Sequence, residues 1–245
     1  MNIIPILTHH KTGTTFWREL VSDIFESQNI IKINRKNIYK FDELVIQSND
    51  SDAYRILLDS HSLIDREFYE TNKLKGIHSF RNPKNILISA TRYHQKSKEK
   101  WLHRPQERFD GKTYQQKINS FNNLENKIIF EMNNSSKKII KSVMKVFKYD
   151  NFYNVDLDKV STDSSMEDLK SIYNFLDIKT KLNLSQDDWL EVCAKHCLWN
   201  IKNIPSHVTS SSPGNKENID EYFTNNIKDE FLSIFGEDSY HNTFG

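Results

Sequence analysis

The sequence predicts an α/β fold: a single domain over residues 1–245, with a central parallel sheet of four to five strands flanked by helices. Three observations predict it. Ile3-Ile4-Pro5-Ile6-Leu7 is a short apolar run that enters a glycine-containing turn, and Phe16, Leu20 and Ile24 then recur at four-residue steps with Val21 and Phe25 beside them. Tyr54-Arg55-Ile56-Leu57-Leu58-Asp59 is a second run of buried-strand type. Gly76-Ile77-His78-Ser79-Phe80 is a third, with Pro83 placed where a helix begins. Short apolar runs punctuated by turns read as strands, and four-residue apolar steps read as one face of a helix. Strands that each run into a helix give a parallel sheet.

Composition narrows the function classes. The chain is 37% hydrophobic and 27% charged, with a formal net charge of +1. No whole-molecule field would draw it to nucleic acid or to an anionic membrane, so neither is expected as a partner. No run reaches the 18 or so apolar residues of a membrane span. The first strand is expected to begin at residue 2 or 3, which leaves no room for a leader. Cys193 and Cys197 bracket His196. Two sulfurs four apart with one histidine make at most a partial metal site, so buried reduced thiols and no metal are expected. Two cysteines and no leader point to a reducing, cytoplasmic setting.

The turn after the first strand carries the most chemistry. In His9-His10-Lys11-Thr12-Gly13-Thr14-Thr15-Phe16-Trp17, Gly13 lets a ligand approach the backbone. Thr14 and Thr15 fall at a helix N-terminus, where unpaired N–H groups and the helix dipole favour an anion. Lys11 adds an ammonium. The stretch suits a phosphate or a sulfate; a plain turn with an N-cap would look the same locally. A Walker-type P-loop places its lysine after the second glycine, whereas Lys11 precedes Gly13, so an ATPase or kinase fits poorly.

The remaining elements follow in order. Ile30-Ile31-Lys32-Ile33 reads as a short strand, and 34–52 as mostly loop with one helical turn near 42–47. The strand ending at Asp59 runs into Ser60-His61-Ser62, at the carboxyl end where open α/β sheets place ligands; taken alone, His61 is either a polar loop residue or part of a site. Leu63–Tyr69 reads as a short helix. After Phe80, Asn82 is expected to cap a helix that Pro83 opens, with Ile86, Leu87 and Ala90 buried. Arg81 ends the strand and by spacing alone could be an ordinary ion-pair partner; Ser89 lies two turns into the helix.

Residues 92–109 are the most basic run, with Tyr93, Trp101 and Phe109 interleaved. Such a run could grip a single-stranded nucleic acid, hold an anionic sugar chain, or form a solvated helix end followed by a lid. Residues 113–142 read as helical, in two pieces broken near Asn133–Ser136. Val143–Tyr149 reads as a strand. Met166–Leu176 and Leu190–Trp199 read as helices.

Lys11-Thr12-Gly13-Thr14-Thr15-Phe16-Trp17 resembles the 5′-phosphosulfate loop of the PAPS-dependent sulfotransferases, with His10 where proline is usual. Arg81-Asn82-Pro83-Lys84-Asn85, with Ser89 following, resembles the family's second signature. The resemblance implies a P-loop-like sulfotransferase fold and transfer of a sulfuryl group from PAPS, leaving PAP, to a hydroxyl or amine of a small-molecule or carbohydrate acceptor, without a metal. Under it, Lys11 stabilises the leaving phosphate, and Thr12, Gly13, Thr14, Thr15 and Phe16 cradle it. Arg81 and Ser89 hold the 3′-phosphate. His61, in the place of the family's catalytic histidine, accepts the acceptor's proton; Asp59 stands where the family has lysine. Residues 92–109 correspond to the segment that shapes the acceptor pocket. Tyr149 resembles the tyrosine near the adenine. Aligning Tyr222-Phe223-Thr224 on the family's tail puts Gly214 on the last phosphate loop, where Ser212 and Pro213 replace Arg and Lys and Lys216 could restore a charge. A nucleotide-binding protein of this fold without catalysis is the alternative, followed by a P-loop small-molecule kinase.

Overall fold

The computed structural model describes residues 2–41, 43, 53–200 and 219–244. In chain order the elements are β1 (Ile3–Leu7), α1 (Thr14–Ile24), β2 (Ile30–Ile33), β3 (Arg55–Asp59), α2 (Arg66–Thr71), β4 (Gly76–Phe80) and α3 (Pro83–His94). They continue with α4 (Tyr114–Asn119), α5 (Leu124–Asn133), α6 (Ser135–Val146), β5 (Phe152–Asp156), α7 (Leu157–Thr162) and α8 (Glu167–Leu176). Last come α9 (Ile178–Leu182), α10 (Gln186–His196), α11 (Asn225–Phe235) and α12 (Glu237–Phe244). The chain divides into two compact units, Met1–Arg81 with Lys145–Ile204, and Asn82–Met144 with Pro205–Gly245.

The first unit is built on the five-stranded sheet, in the order β2-β3-β1-β4-β5. Every pairing is parallel, as βα succession requires. Register fixes where the strands end: Leu7 lies beside Asp59, and Phe80 beside Asp156. The segments that leave these strands therefore depart from one edge of the sheet.

Side chains alternate across the sheet, and both faces are covered. Ile4, Ile6, Ile56 and Leu58 join Trp17, Leu20, Leu169, Trp189 and Cys193 on one face. Ile3, Leu7 and Leu57 join Tyr69, Tyr149 and Phe152 on the other. Burial on both sides is why these strands are apolar runs rather than alternating ones. Gly76 is a packing glycine: a Cβ there would lie 2.4 Å from the Pro5 carbonyl oxygen and 2.7 Å from the Phe152 ring.

The expected strand over Val143–Tyr149 is corrected. Residues 143–146 finish α6, residues 147–149 follow it as a turn, and the strand is Phe152–Asp156. Ile139, Ile140, Val143 and Val146 are all buried, a three- and four-residue spacing that belongs to a helix. β5 sits at the sheet edge and carries polar residues, so it has no apolar run to announce it. The helical region expected over 113–142 is three helices rather than two, and it does break at Asn134. A 3₁₀ turn spans Ile38–Lys40; the helical turn expected near 42–47 lies, residue 43 apart, outside the described residues.

In the second unit, Asn82 caps α3 by accepting from the Lys84 N–H, with Pro83 at the first helical position, as the sequence predicts. Leu102 and Phe109 anchor the basic segment into a cluster with Tyr114, Ile118 and Phe130. Beneath it, the fully buried Glu131 carboxylate accepts from His94 Nδ1, the Tyr114 hydroxyl and the Ser136 hydroxyl, each at 2.8 Å. Burial beside that carboxylate pushes the Tyr114 phenol far above its ordinary range. The acid thus ties α3, α4, α5 and the start of α6 together, and a buried acid needs this many donors to be tolerated.

The close approach at Gly76 gives a stability test. Gly76→Ala is expected to destabilise the protein by about 1–3 kcal/mol, the usual cost of overpacking a tight contact. Urea unfolding measures it, and an unchanged midpoint would contradict the packing described.

Candidate anion site

The segment between β1 and α1 is a compact turn held from several sides. Its backbone visits the left-handed region twice, at Lys11 (φ 67°) and Gly13 (φ 94°). A non-glycine residue there is uncommon, and such residues gather at ligand sites. Gly13 is the N-cap of α1, and no side chain caps that helix. The first N–H groups of α1 therefore keep their capacity to bind an anion. Thr12 is fully buried and points inward: its Oγ1 accepts from the His9 N–H at 2.7 Å, and its own carbonyl accepts from the Ser79 hydroxyl at 2.7 Å. Of the predicted cradle, Thr12 is thus a structural residue of the turn. Thr14 Oγ1 lies 2.8 Å from Thr8 Oγ1. Thr15 occupies the first turn of α1, and Phe16 packs edge-on to the buried Trp17.

Gly13 is required for a second reason. A Cβ at this position would lie 2.6 Å from a methyl of Leu157, the first residue of α7. The glycine therefore serves packing as well as the approach of a ligand.

A pair of buried histidines lies under the turn. His9 Nε2 is 3.1 Å from His78 Nε2, and His78 Nδ1 is 2.6 Å from Asn154 Oδ1. The Asn154 carbonyl oxygen accepts, so His78 donates through Nδ1 and accepts at Nε2 from the Nε2–H of His9. That assignment needs both rings neutral. Burial holds His78 down at about 4 and His9 well below its ordinary value, the latter also through the neighbouring His78.

His61 sits in the turn after β3, partly exposed, with its N–H donating to Asp59 Oδ1 at 3.3 Å. Asp59 is fully buried and also accepts from the Ile64 N–H and the Tyr69 hydroxyl. Its role is to shape this turn. Burial pushes its carboxyl up, against the pull of those N–H donors. Ser62 joins the two turns: its hydroxyl donates to the Thr8 carbonyl at 3.2 Å and lies 3.3 Å from His9 Nε2. Lys11 and His61 thus belong to turns that are bonded to each other. Neither Ser62 nor the histidine pair was singled out in the sequence; the one available signal was the position of Ser62 next to His61.

Arg81 follows β4 at the same edge, and its guanidinium is engaged. Nε lies 2.8 Å from both carboxylate oxygens of Asp158, and Nη2 lies 2.7 Å from Oδ1. Ser89 lies in the second unit, on the buried side of α3. Tyr149 is a correction. It precedes β5, at the amino end of a parallel strand, and packs with Tyr69 and Phe152 in the core. Its backbone therefore stands at the end of the sheet opposite the turns just described, while its ring packs inward on Tyr69. Gly214 and Lys216 lie outside the described residues. Cys193 and Cys197 are free and buried, and burial pushes the Cys197 thiol up to about 11. His196, between them in sequence, turns to Asp23 at 2.9 Å instead.

No protein-family profile matches the chain, and no curated protein matches it in sequence. A solved structure does match: a mouse sulfotransferase, in crystals complexed with PAP. The likeness spans 99% of this chain and 88% of that one, with a TM-score of 0.54 at 15% identity. The chain has the sulfotransferase fold. Its βα connections at β1, β3 and β4 are those the sequence predicts for such a fold, and the sheet has the full five strands. Among the described residues no helix is long and apolar enough to cross a membrane.

The histidine pair predicts acid lability. Unfolded, both rings titrate near 6.5. Folded, they resist protonation, so the unfolded chain binds more protons as the pH falls below 6.5. Their contribution is intact above that value and is lost as pH falls toward about 4. His78→Gln should remove up to one such proton and flatten the decline by up to about 1.4 kcal/mol per pH unit. Urea midpoints between about pH 7 and pH 4.5 read this, and equal slopes for both proteins would contradict it.

Proposed function

We propose that the protein is a sulfotransferase that uses PAPS as donor and a hydroxyl or amine of a small-molecule or carbohydrate acceptor. The observation that carries this reading is the uncapped, left-handed turn at Lys11–Gly13, placed at the sheet edge from which Arg81 and the His61 turn also depart. The turn offers backbone N–H groups and an ammonium for a 5′-phosphate; Arg81 offers a fork that suits the 3′-phosphate. The fold likeness to a sulfotransferase complexed with PAP supports the reading.

PAPS, when bound, supplies the sulfuryl group and the phosphate from which it departs. The chain's own residues do the rest. Positioning and charge stabilisation carry most of such a transfer. Lys11 and the N–H groups of Gly13 to Thr15 offset negative charge growing on the departing phosphate. Arg81 and Ser89 fix the nucleotide through its other end. His61, partly exposed, accepts the proton of the acceptor hydroxyl or amine, a task suited to an imidazole. Of the four histidines on the first unit's turns and β4, His9 and His78 are buried and held neutral, which leaves His10 and His61 partly exposed; His61, in the turn after β3, is the one assigned the proton. The basic, aromatic run over residues 92–109 leans the acceptor toward a polar or anionic molecule.

Calorimetric titration with PAP, ADP and adenosine 5′-phosphate tests the donor site. A charge-assisted hydrogen bond contributes about 1.5–3 kcal/mol, so PAP should bind at least about tenfold tighter than either comparator. Arg81→Ala should abolish that preference and leave adenosine 5′-phosphate nearly unaffected, while Lys11→Ala should weaken all three. Absence of a PAP preference in the unmodified protein would overturn the reading. With a working acceptor, His61→Ala should lower kcat by roughly 10²–10⁴-fold with little change in PAP affinity. Unchanged turnover would move the base elsewhere.

A further inference from the structure

The two residues that open α7 reach both halves of the proposed donor site. Leu157 covers Gly13, where the 5′-phosphate would rest, and Asp158 grips Arg81, assigned to the 3′-phosphate. We propose that Asp158 is a specificity-determining residue: its carboxylate holds Arg81 in place of the 3′-phosphate and sets the threshold that an incoming anion must exceed to displace it. The proposal rests on the donor-site reading above and names how that site discriminates.

The geometry is that of an ion pair made to be exchanged. Three contacts of 2.7–2.8 Å join the two groups, a forked arrangement that a phosphate could reproduce. Neither partner is sealed from solvent: the side chains are 23% and 33% exposed. A pair at this depth can open without leaving a buried unpaired charge. Asp158 is itself anchored. It sits in the first turn of α7, and its N–H is held by the Asp156 carboxylate at 2.9 Å. Asp156 also faces this region; burial and the charge of Asp158 push its carboxyl up, while Arg81 draws it down. Two carboxylates therefore attend one guanidinium, and a third anion arrives against their combined field.

That field selects by charge. A monoanion gains no more from Arg81 than Asp158 already supplies, so it has little power to displace the carboxylate. A phosphate monoester dianion on an adenosine that is also held at its 5′ end does. The empty site keeps Arg81 ordered and neutralised, and after reaction Asp158 is at hand to recapture it, which hastens release of PAP.

The test is the isosteric Asp158→Asn, with Asp158→Ser as a second variant and thermal melting as a check on folding. Asparagine keeps an acceptor for Arg81 and removes the charge. PAP affinity is expected to rise about tenfold and the PAP off-rate, by stopped-flow, to fall in proportion, while adenosine 5′-phosphate affinity stays within about twofold. In an Arg81→Ala background, Asp158→Asn should have no effect on PAP, because Asp158 acts through Arg81. Unchanged or weaker PAP binding in folded Asp158→Asn would overturn the proposal and make Asp158 a positioning residue for Arg81. That result stays distinct from failure of the donor-site reading, which would show as no PAP preference in the unmodified protein.

Discussion

The parallel register of β1 with β3, and of β4 with β5, is the constraint on which the rest of the first unit depends. Because Leu7 ends beside Asp59 and Phe80 beside Asp156, four segments leave one edge of the sheet together. Lys11, His61, Arg81 and Asp158 are separated by long stretches of sequence, yet each follows a strand end by only a few residues. A slip of one residue between strands would turn every apolar side chain to the other face. Both faces are packed, so the register is strongly enforced. The candidate site inherits its geometry from the core, the tight packing at Gly76 included.

The polar groups at this edge fall into two electrical regimes. Those nearest the core are neutral or satisfied. His9 and His78 pass a single hydrogen between ring nitrogens with Asn154 closing the chain, and Asp59 is surrounded by donors. Outward from them come the full charges of Lys11, Arg81 and Asp158. The order follows from the cost of burying charge: a ring that would have to carry a proton in the interior gives it up instead. A neutral layer beneath a charged rim gives the turns a firm base without screening the field that a nucleotide would meet.

Much of the fold was legible in the sequence. β1 and β3 are apolar on both faces, β4 is a buried run that Gly76 opens, and Asn82-Pro83, which follows it, writes its helix start in side-chain chemistry. β5 was not legible. It lies at the edge, and Phe152-Tyr153-Asn154-Val155-Asp156 mixes polar and apolar residues, whereas Val143 and Val146 just before it mimic a strand while completing a helical face. That misreading carried Tyr149 with it. In the site, the groups that announce themselves are those with unusual local context: a lysine beside a lone glycine, an arginine before Asn-Pro. Those that escaped, Ser62, His78, Asn154 and Asp158, matter through partners 53 to 77 residues away in the chain. Hydrogen bonds of that span leave no periodic trace.

The inverted order of lysine and glycine, which sets this turn apart from the Walker motif, also shows what an anion site needs. A helix N-terminus binds anions when its first N–H groups are exposed and unclaimed. A serine or threonine N-cap would claim one of them; Gly13 cannot, and its left-handed φ turns the preceding chain away from the helix axis. Lys11, also left-handed, lets the turn form without a second glycine. Thr12 is spent on holding the turn closed, which leaves Thr14 and Thr15 as the hydroxyls at the helix start. The chemistry of the site thus lies in the backbone conformation at two positions and in the absence of a cap. A motif written as an order of residue types records one solution to that requirement, and under the proposed function the turn at residues 9–15 is another.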